Sequence, residues 1–108
     1  MKRILFAALV LAAAGRTASA QADGKALYGE NCAKCHGPKG VPPQTMQKKF
    51  ERIAMFDAAF LTKHSVDSIT KVITKGKNED MVSFKDKMKP EELAAVARYV
   101  HDLAGQAK

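Results

Sequence analysis

Two cysteines three residues apart, with a histidine directly behind the second, constrain this chain more than any other feature. They are Cys32, Cys35 and His36 in the run Cys32-Ala33-Lys34-Cys35-His36, and the chain has no other cysteine. On a helix, residues three apart share a side, so the spacing predicts two thiols on one face of a single turn with an imidazole beside them. Gly37-Pro38 then ends regular structure. A disulfide between residues so close closes a very small loop and adds little stability. The pair therefore asks for a chemical explanation, and the rest of the chain limits which explanations are open.

The first limit comes from residues 1–20. Lys2 and Arg3 form a positive start, Ile4 to Ala14 is unbroken apolar sequence, and Ala18-Ser19-Ala20 is a small-x-small site. That order is the layout of a secretory signal peptide. The apolar run is shorter than the about 20 residues a membrane span requires. Cleavage after Ala20, or after Ala22 at a second compatible site, is expected, leaving residues 21–108 as one domain in the periplasm. No cysteine follows either site, so nothing points to a lipidated N-terminus. Export places Cys32 and Cys35 in an oxidising compartment.

The second limit is size. A domain of this length buries only about 60% of its unfolded surface. Its aromatic residues after Ala20 are Tyr28, Phe50, Phe56, Phe60, Phe84 and Tyr99, with no tryptophan. Such chains often rely on a staple, a metal or a cofactor, and a large flat apolar cofactor would supply the missing core. Losing Lys2, Arg3 and Arg16 leaves 15 basic and 11 acidic residues, a net charge of +4. The lysines are spread along the chain and form no arginine-rich run, which argues against nucleic acid. The balance suits steering toward an acidic protein or membrane surface.

The pattern is helical and shows no period-two alternation, so an all-α domain is expected. A first helix spans Asp23 to Ala33, with Asp23 as N-cap and Leu27 and Tyr28 facing inward. Lys39 to Thr45 is a loop with Gly40, Pro42 and Pro43 as breakers. Met46 to Phe60 holds one or two short helices. Ser65 caps a helix from Val66 to Lys75, with Val66, Ile69, Val72 and Ile73 on one face and Gly76 as its stop. Gly76 to Lys89 is a long loop carrying Met81, Phe84 and Met88. Pro90 opens a last helix, Glu91 and Glu92 suit its positive end, and Gly105 closes it. Its apolar stripe is Leu93, Val96, Ala97, Val100, Leu103 and Ala104.

Within these limits, Cys32-x-x-Cys35-His36 reads as the attachment site of one covalent haem c. Two thiols on one turn can add to the two vinyl groups at one haem edge, and His36 is then held under the iron. A thioredoxin-like pair needs a βαβ pattern that is missing. A zinc site needs four ligands, so Cys32 and Cys35 would have to recruit His64 and His101, or His36, from unrelated places. A plain disulfide leaves His36 unexplained. Sulfur suits the sixth position of an electron-transfer haem. Met81 is the preferred ligand because a loop brings sulfur freely to the far face, with Met88 the runner-up; Met46 and Met55 read as core or surface. A bis-His haem through His64 is a minor alternative, and His64 and His101 otherwise read as ordinary polar positions near helix ends.

These residues resemble the small bacterial class I, monohaem, cytochromes c. Gly24-x-x-Leu27-Tyr28 leading into Cys32-x-x-Cys35-His36-Gly37 is similar to that family's first helix and haem site. Ser65 to Gly76 followed by Met81-x-x-Phe84 resembles its penultimate helix and methionine loop, and Pro90-Glu91-Glu92-Leu93 through Tyr99-Val100 and Leu103 its last helix. The resemblance implies a small cytochrome c fold in which the N- and C-terminal helices cross, Gly24 and Tyr28 meeting Tyr99, Val100 and Leu103, with the haem in a crevice. It implies Phe84 and Pro42 as further haem-contacting residues, and the Pro42 or Pro43 region as the carbonyl that orients His36. One position departs: the family commonly has proline after the ligand methionine, and here Val82 follows Met81, which predicts a less stiff loop.

The function expected is one-electron transfer between redox partner proteins, without transformation of a substrate and so without enzymatic activity. The resemblance implies partners such as quinol-oxidising complexes, terminal oxidases or periplasmic dehydrogenases and reductases. Docking is expected on Lys34, Lys39, Lys77 and Lys85 near the haem edge. A monomer without stable membrane insertion after signal cleavage is expected. The alternative from another class is an open, five-coordinate haem that binds a gas or peroxide.

Overall fold

The computed structural model describes residues 22–106. The signal-peptide segment lies outside the described residues. Six helices follow one another, and no strand occurs among the described residues: α1 (Gly24–Asn31), α2 (Ala33–His36), α3 (Gln44–Lys49), α4 (Ala58–Lys63), α5 (Val66–Lys75) and α6 (Pro90–Gln106).

The helix starts are fixed by side chains that accept otherwise unpaired backbone N–H groups. Asp23 accepts from Ala26 at 3.1 Å, Asp57 from Phe60 at 3.0 Å and Ser65 from Ser68 at 3.1 Å. Such caps contribute about 1 kcal/mol each. At α6 the contact runs the other way, the Lys89 N–H donating to the Glu92 carboxylate at 2.9 Å. The α5 boundaries and both of its end signals agree with the sequence reading, and Gly76 adopts φ +77° as a helix stop requires.

Three boundaries differ. The expected helix Asp23 to Ala33 is two helices hinged at Cys32. Its N–H closes α1 onto the Tyr28 carbonyl at 2.8 Å, while its own carbonyl starts the next turn by accepting from His36 at 2.9 Å. Of the one or two short helices expected in Met46 to Phe60 there are two, separated by non-helical residues 50–57, but α3 begins at Gln44, inside the expected Lys39 to Thr45 loop, and α4 runs on to Lys63. Gly105 does not end α6, which continues through Gln106; Gly105 is exposed there, so its missing side chain leaves no gap in the core.

The core is one cluster built on α6. Leu93, Val96, Ala97, Val100 and Ala104 are buried, as the stripe predicts, and they pack with Ile69 and Ile73 of α5, Tyr28 of α1 and Phe56, Phe84 and Met88 from the connecting segments. Leu103 lies half-buried against this cluster, and Ala95 is buried although it stands off the stripe. The reason is α1, which crosses α6 there. A Cβ on Gly24 would overlap the Ala95 carbonyl oxygen and lie 3.2 Å from Tyr99 Cβ. One turn along α1, the Tyr28 and Tyr99 rings meet at 5.2 Å.

Candidate functional site

Cys32, Cys35 and His36 stand on a single turn, with Cys32 as the N-cap of α2 and His36 as its last residue. Both cysteines are free thiols, Cys32 buried and Cys35 half-buried. Burial, followed by the nearness of Cys35, pushes the Cys32 thiol of the haem-free chain up to about 11. After α2, the Tyr28 hydroxyl donates to the Gly37 carbonyl at 2.6 Å. The first helix is thereby tied to the residue next to His36.

His36 Nδ1 lies 3.2 Å from the Ala54 carbonyl oxygen. A carbonyl can only accept, so Nδ1 carries the proton, and Nε2 is left as a free lone pair. The expected partner in the Pro42–Pro43 region is therefore corrected to Ala54. The Pro42 carbonyl is engaged elsewhere, accepting from the Gln47 amide at 2.7 Å, because Pro43 is the N-cap of α3 and turns that carbonyl toward the helix. Sequence gave no signal for Ala54, since any residue has a carbonyl.

Burial holds the His36 imidazole below the usual histidine range, and the Ala54 contact opposes this more weakly.

Met81 sits in a loop held by hydrogen bonds. The Asn78 side-chain oxygen accepts from the N–H groups of Asp80 and Met81, both at 2.9 Å, and the Met81 carbonyl accepts from Lys77 at 2.8 Å. The loop is also tied back to α5: Ser83 Oγ donates to the Thr74 carbonyl and the Phe84 N–H to Ile73 at 2.9 Å. These bonds act where a proline after Met81 would otherwise stiffen the chain. Met81 is half-buried against the core, whereas Met88 is 5% exposed and is a core residue. Phe84 is buried in the same cluster as Cys32. Lys34, Lys39, Lys77 and Lys85 are all exposed. His64 is the C-cap of α4, its ring tilted by 31° against Phe60 with centroids 4.4 Å apart.

Residues 19–100 match the protein family described as cytochrome c oxidase, cbb3-type, subunit III. Cytochrome c6 of Anabaena variabilis is 37% identical over 81 residues, covering 72% of this chain and 85% of the relative. The chain belongs to the small monohaem class I cytochromes c. Its cofactor is one covalently bound haem c, and its work is electron transfer with redox partner proteins. Cytochrome c6 of Chlorolobion braunii is 35% identical, with 79% of this chain and 92% of the relative aligned. The cbb3-type cytochrome c oxidase subunit FixP of Azorhizobium caulinodans is 31% identical over 87% of this chain, which spans only 30% of that longer protein. Among solved structures, the KustC0563 c-type cytochrome has a TM-score of 0.67 at 34% identity, covering 75% of this chain and 96% of that one. The all-α cytochrome c fold follows from these likenesses. The donor set suits the cofactor: two unpaired thiols on one turn, and an imidazole whose other nitrogen is fixed by a carbonyl. No helix among the described residues is long and apolar enough to cross a membrane.

Proposed function

We propose that this cytochrome is an exported, periplasmic one-electron carrier in which Cys32 and Cys35 hold the haem through thioether bonds and His36 and Met81 are its axial ligands. The observation that carries this reading is the α2 turn, where two free thiols precede an imidazole with Nε2 left unprotonated. Bound haem supplies a one-electron change between ferric and ferrous iron. The Asn78-braced loop limits the travel of Met81. Phe84 and Pro42, both buried, are assigned to the apolar surroundings of the haem. On this reading the protein passes electrons and transforms no substrate, so it is not an enzyme. It works as a monomer and docks through Lys34, Lys39, Lys77 and Lys85; an electron-transfer rate flat across ionic strength would sink the docking assignment.

The deciding experiment is the visible spectrum of the purified protein, oxidised and then reduced. A c-type reduced spectrum with the weak far-red iron–sulfur band of the oxidised form is expected. Met81→Ala should abolish that band. Met88→Ala should keep it and lose about 2–5 kcal/mol of stability as a buried methionine. A haem spectrum without the band in the unmodified protein would overturn methionine ligation. The intact mass of the exported protein tests cleavage, with Gln21 expected as its first residue.

A further inference from the structure

The Ala54 carbonyl restrains one atom of the His36 ring, through a contact of 3.2 Å. A single hydrogen bond of that length tolerates tilt of the ring. The plane of the ring is set by something else. Phe56, two residues beyond Ala54, lies face to face with His36, with centroids 4.8 Å apart and planes 19° from parallel. We infer that Phe56 is the positioning residue for the His36 imidazole plane, acting on the cofactor only through His36. The inference rests on the reading of His36 as an axial ligand.

Phe56 can do this because it is itself immobilised. It is 6% exposed. Its N–H donates to the Gly40 carbonyl at 2.9 Å. Gly40 lies so near that a Cβ there would be 2.9 Å from Phe56 Cβ. Its ring is met edge-on by Phe60 at 4.9 Å and by Tyr28 at 6.3 Å. Aromatic pairs prefer such edge-on arrangements, so these two rings, with the Gly40 contact, define one orientation. Tyr28 also donates to Gly37, the residue after His36. The imidazole is thus held at its nitrogen by residue 54, on its face by residue 56 and through its backbone neighbour by Tyr28. For a histidine bound to iron, the ring plane decides how its π orbitals meet those of the metal. The plane therefore governs the magnetic anisotropy of the ferric form, which packing stability alone does not.

The test compares holoproteins by proton NMR and by reduction potential. Phe56→Leu keeps apolar bulk and loses the flat face; the four ferric haem-methyl resonances should change their spread and the potential should shift. Phe56→Tyr keeps the face and should restore the original pattern. Phe60→Leu removes one of the rings that brace Phe56, and should lower the unfolding midpoint while shifting the resonances less than Phe56→Leu does. A His-ligated Phe56→Leu protein with an unchanged methyl pattern overturns the inference. Should Phe56→Leu fail to accumulate, the reduced unmodified protein still decides it: nuclear Overhauser contacts between the Phe56 and His36 rings are expected, and their absence overturns it. An unmodified protein without a c-type spectrum would instead overturn the ligand reading, and this inference with it.

Discussion

Gly24→Ala should destabilise the protein, whereas Gly29→Ala, in the same helix, should stabilise it. Propensity alone predicts the same sign for both, since alanine is favoured over glycine in helices by up to about 1 kcal/mol. The surroundings differ. Nothing lies within 4 Å of a Cβ at Gly29, so that substitution gains the propensity and the lower unfolded-state entropy, about 0.4–1 kcal/mol. A Cβ at Gly24 meets the Ala95 backbone, with the carbonyl carbon at 2.8 Å. Backbone cannot swing aside as a side-chain tip can, so α1 must lift off α6. Overpacking of this kind costs typically about 1–3 kcal/mol, and Gly24→Val should exceed that. For a domain this small each kcal/mol moves Tm by roughly 4–8 °C. The loss should reach the haem as well, because Tyr28 on α1 reaches both Tyr99 and the Gly37 carbonyl. Thermal unfolding followed in the far ultraviolet and in the haem bands should give coincident, lowered midpoints for Gly24→Val. A stabilised Gly24→Ala would show that the two helices do not touch at this point.

The contrast between Gly24 and Ala54 shows what sequence reading can reach in such a chain. Gly24 was legible, through the family resemblance that set it against Tyr99. The thiol–imidazole run was legible because its spacing is itself chemical. Ser65, Gly76 and Pro90 were legible because caps and stops act within one turn of the chain. Asp57 is a cap of the same kind, but it stands in a stretch whose phenylalanines give only partial helical spacing, so one helix or two stayed open and the break at residues 50–57 had no marked position. Ala54 and Phe56 lie in that break. One acts through a carbonyl that every residue possesses, and the other through a ring whose neighbour is 20 residues back in sequence. Neither relation has a local pattern. The Asn78 brace is intermediate: an asparagine that accepts from residues two and three ahead is a recognisable turn former, yet its importance depends on Met81 being the residue it holds. The missing proline after Met81 suggested a softer loop, and the hydrogen bonds of Asn78, Ser83 and Phe84 supply a restraint that a local reading does not count.

Replacing both cysteines with alanine should abolish covalent haem and, with it, cooperative folding at 25 °C. The argument starts from the core. Among the described residues its large, fully buried members are few, namely Tyr28 and Val96. A domain of this size is marginal without added apolar surface. On the proposed ligation, thioether bonds from Cys32 and Cys35 would keep the haem at a high effective concentration beside His36 and Met81, which favours rebinding over loss. Without them, every opening of the crevice is an opportunity for loss. Haem-stained denaturing gels should show no band for Cys32→Ala/Cys35→Ala, and its far-ultraviolet spectrum should lose most of its helical signal. The single variants separate the two thiols. Each should retain one thioether, visible as an alkaline pyridine spectrum displaced to longer wavelength. Cys32→Ala should be the more damaging, by roughly 1 kcal/mol, because Cys32 is a core residue at the α1–α2 hinge while Cys35 is only half-buried. Equal losses from the two single variants would mean that the Cys32 side chain contributes nothing beyond its bond to the haem. A double variant that stayed helical and held haem by ligation alone would locate the stability of this fold in the α1–α6 and α5–α6 packing instead.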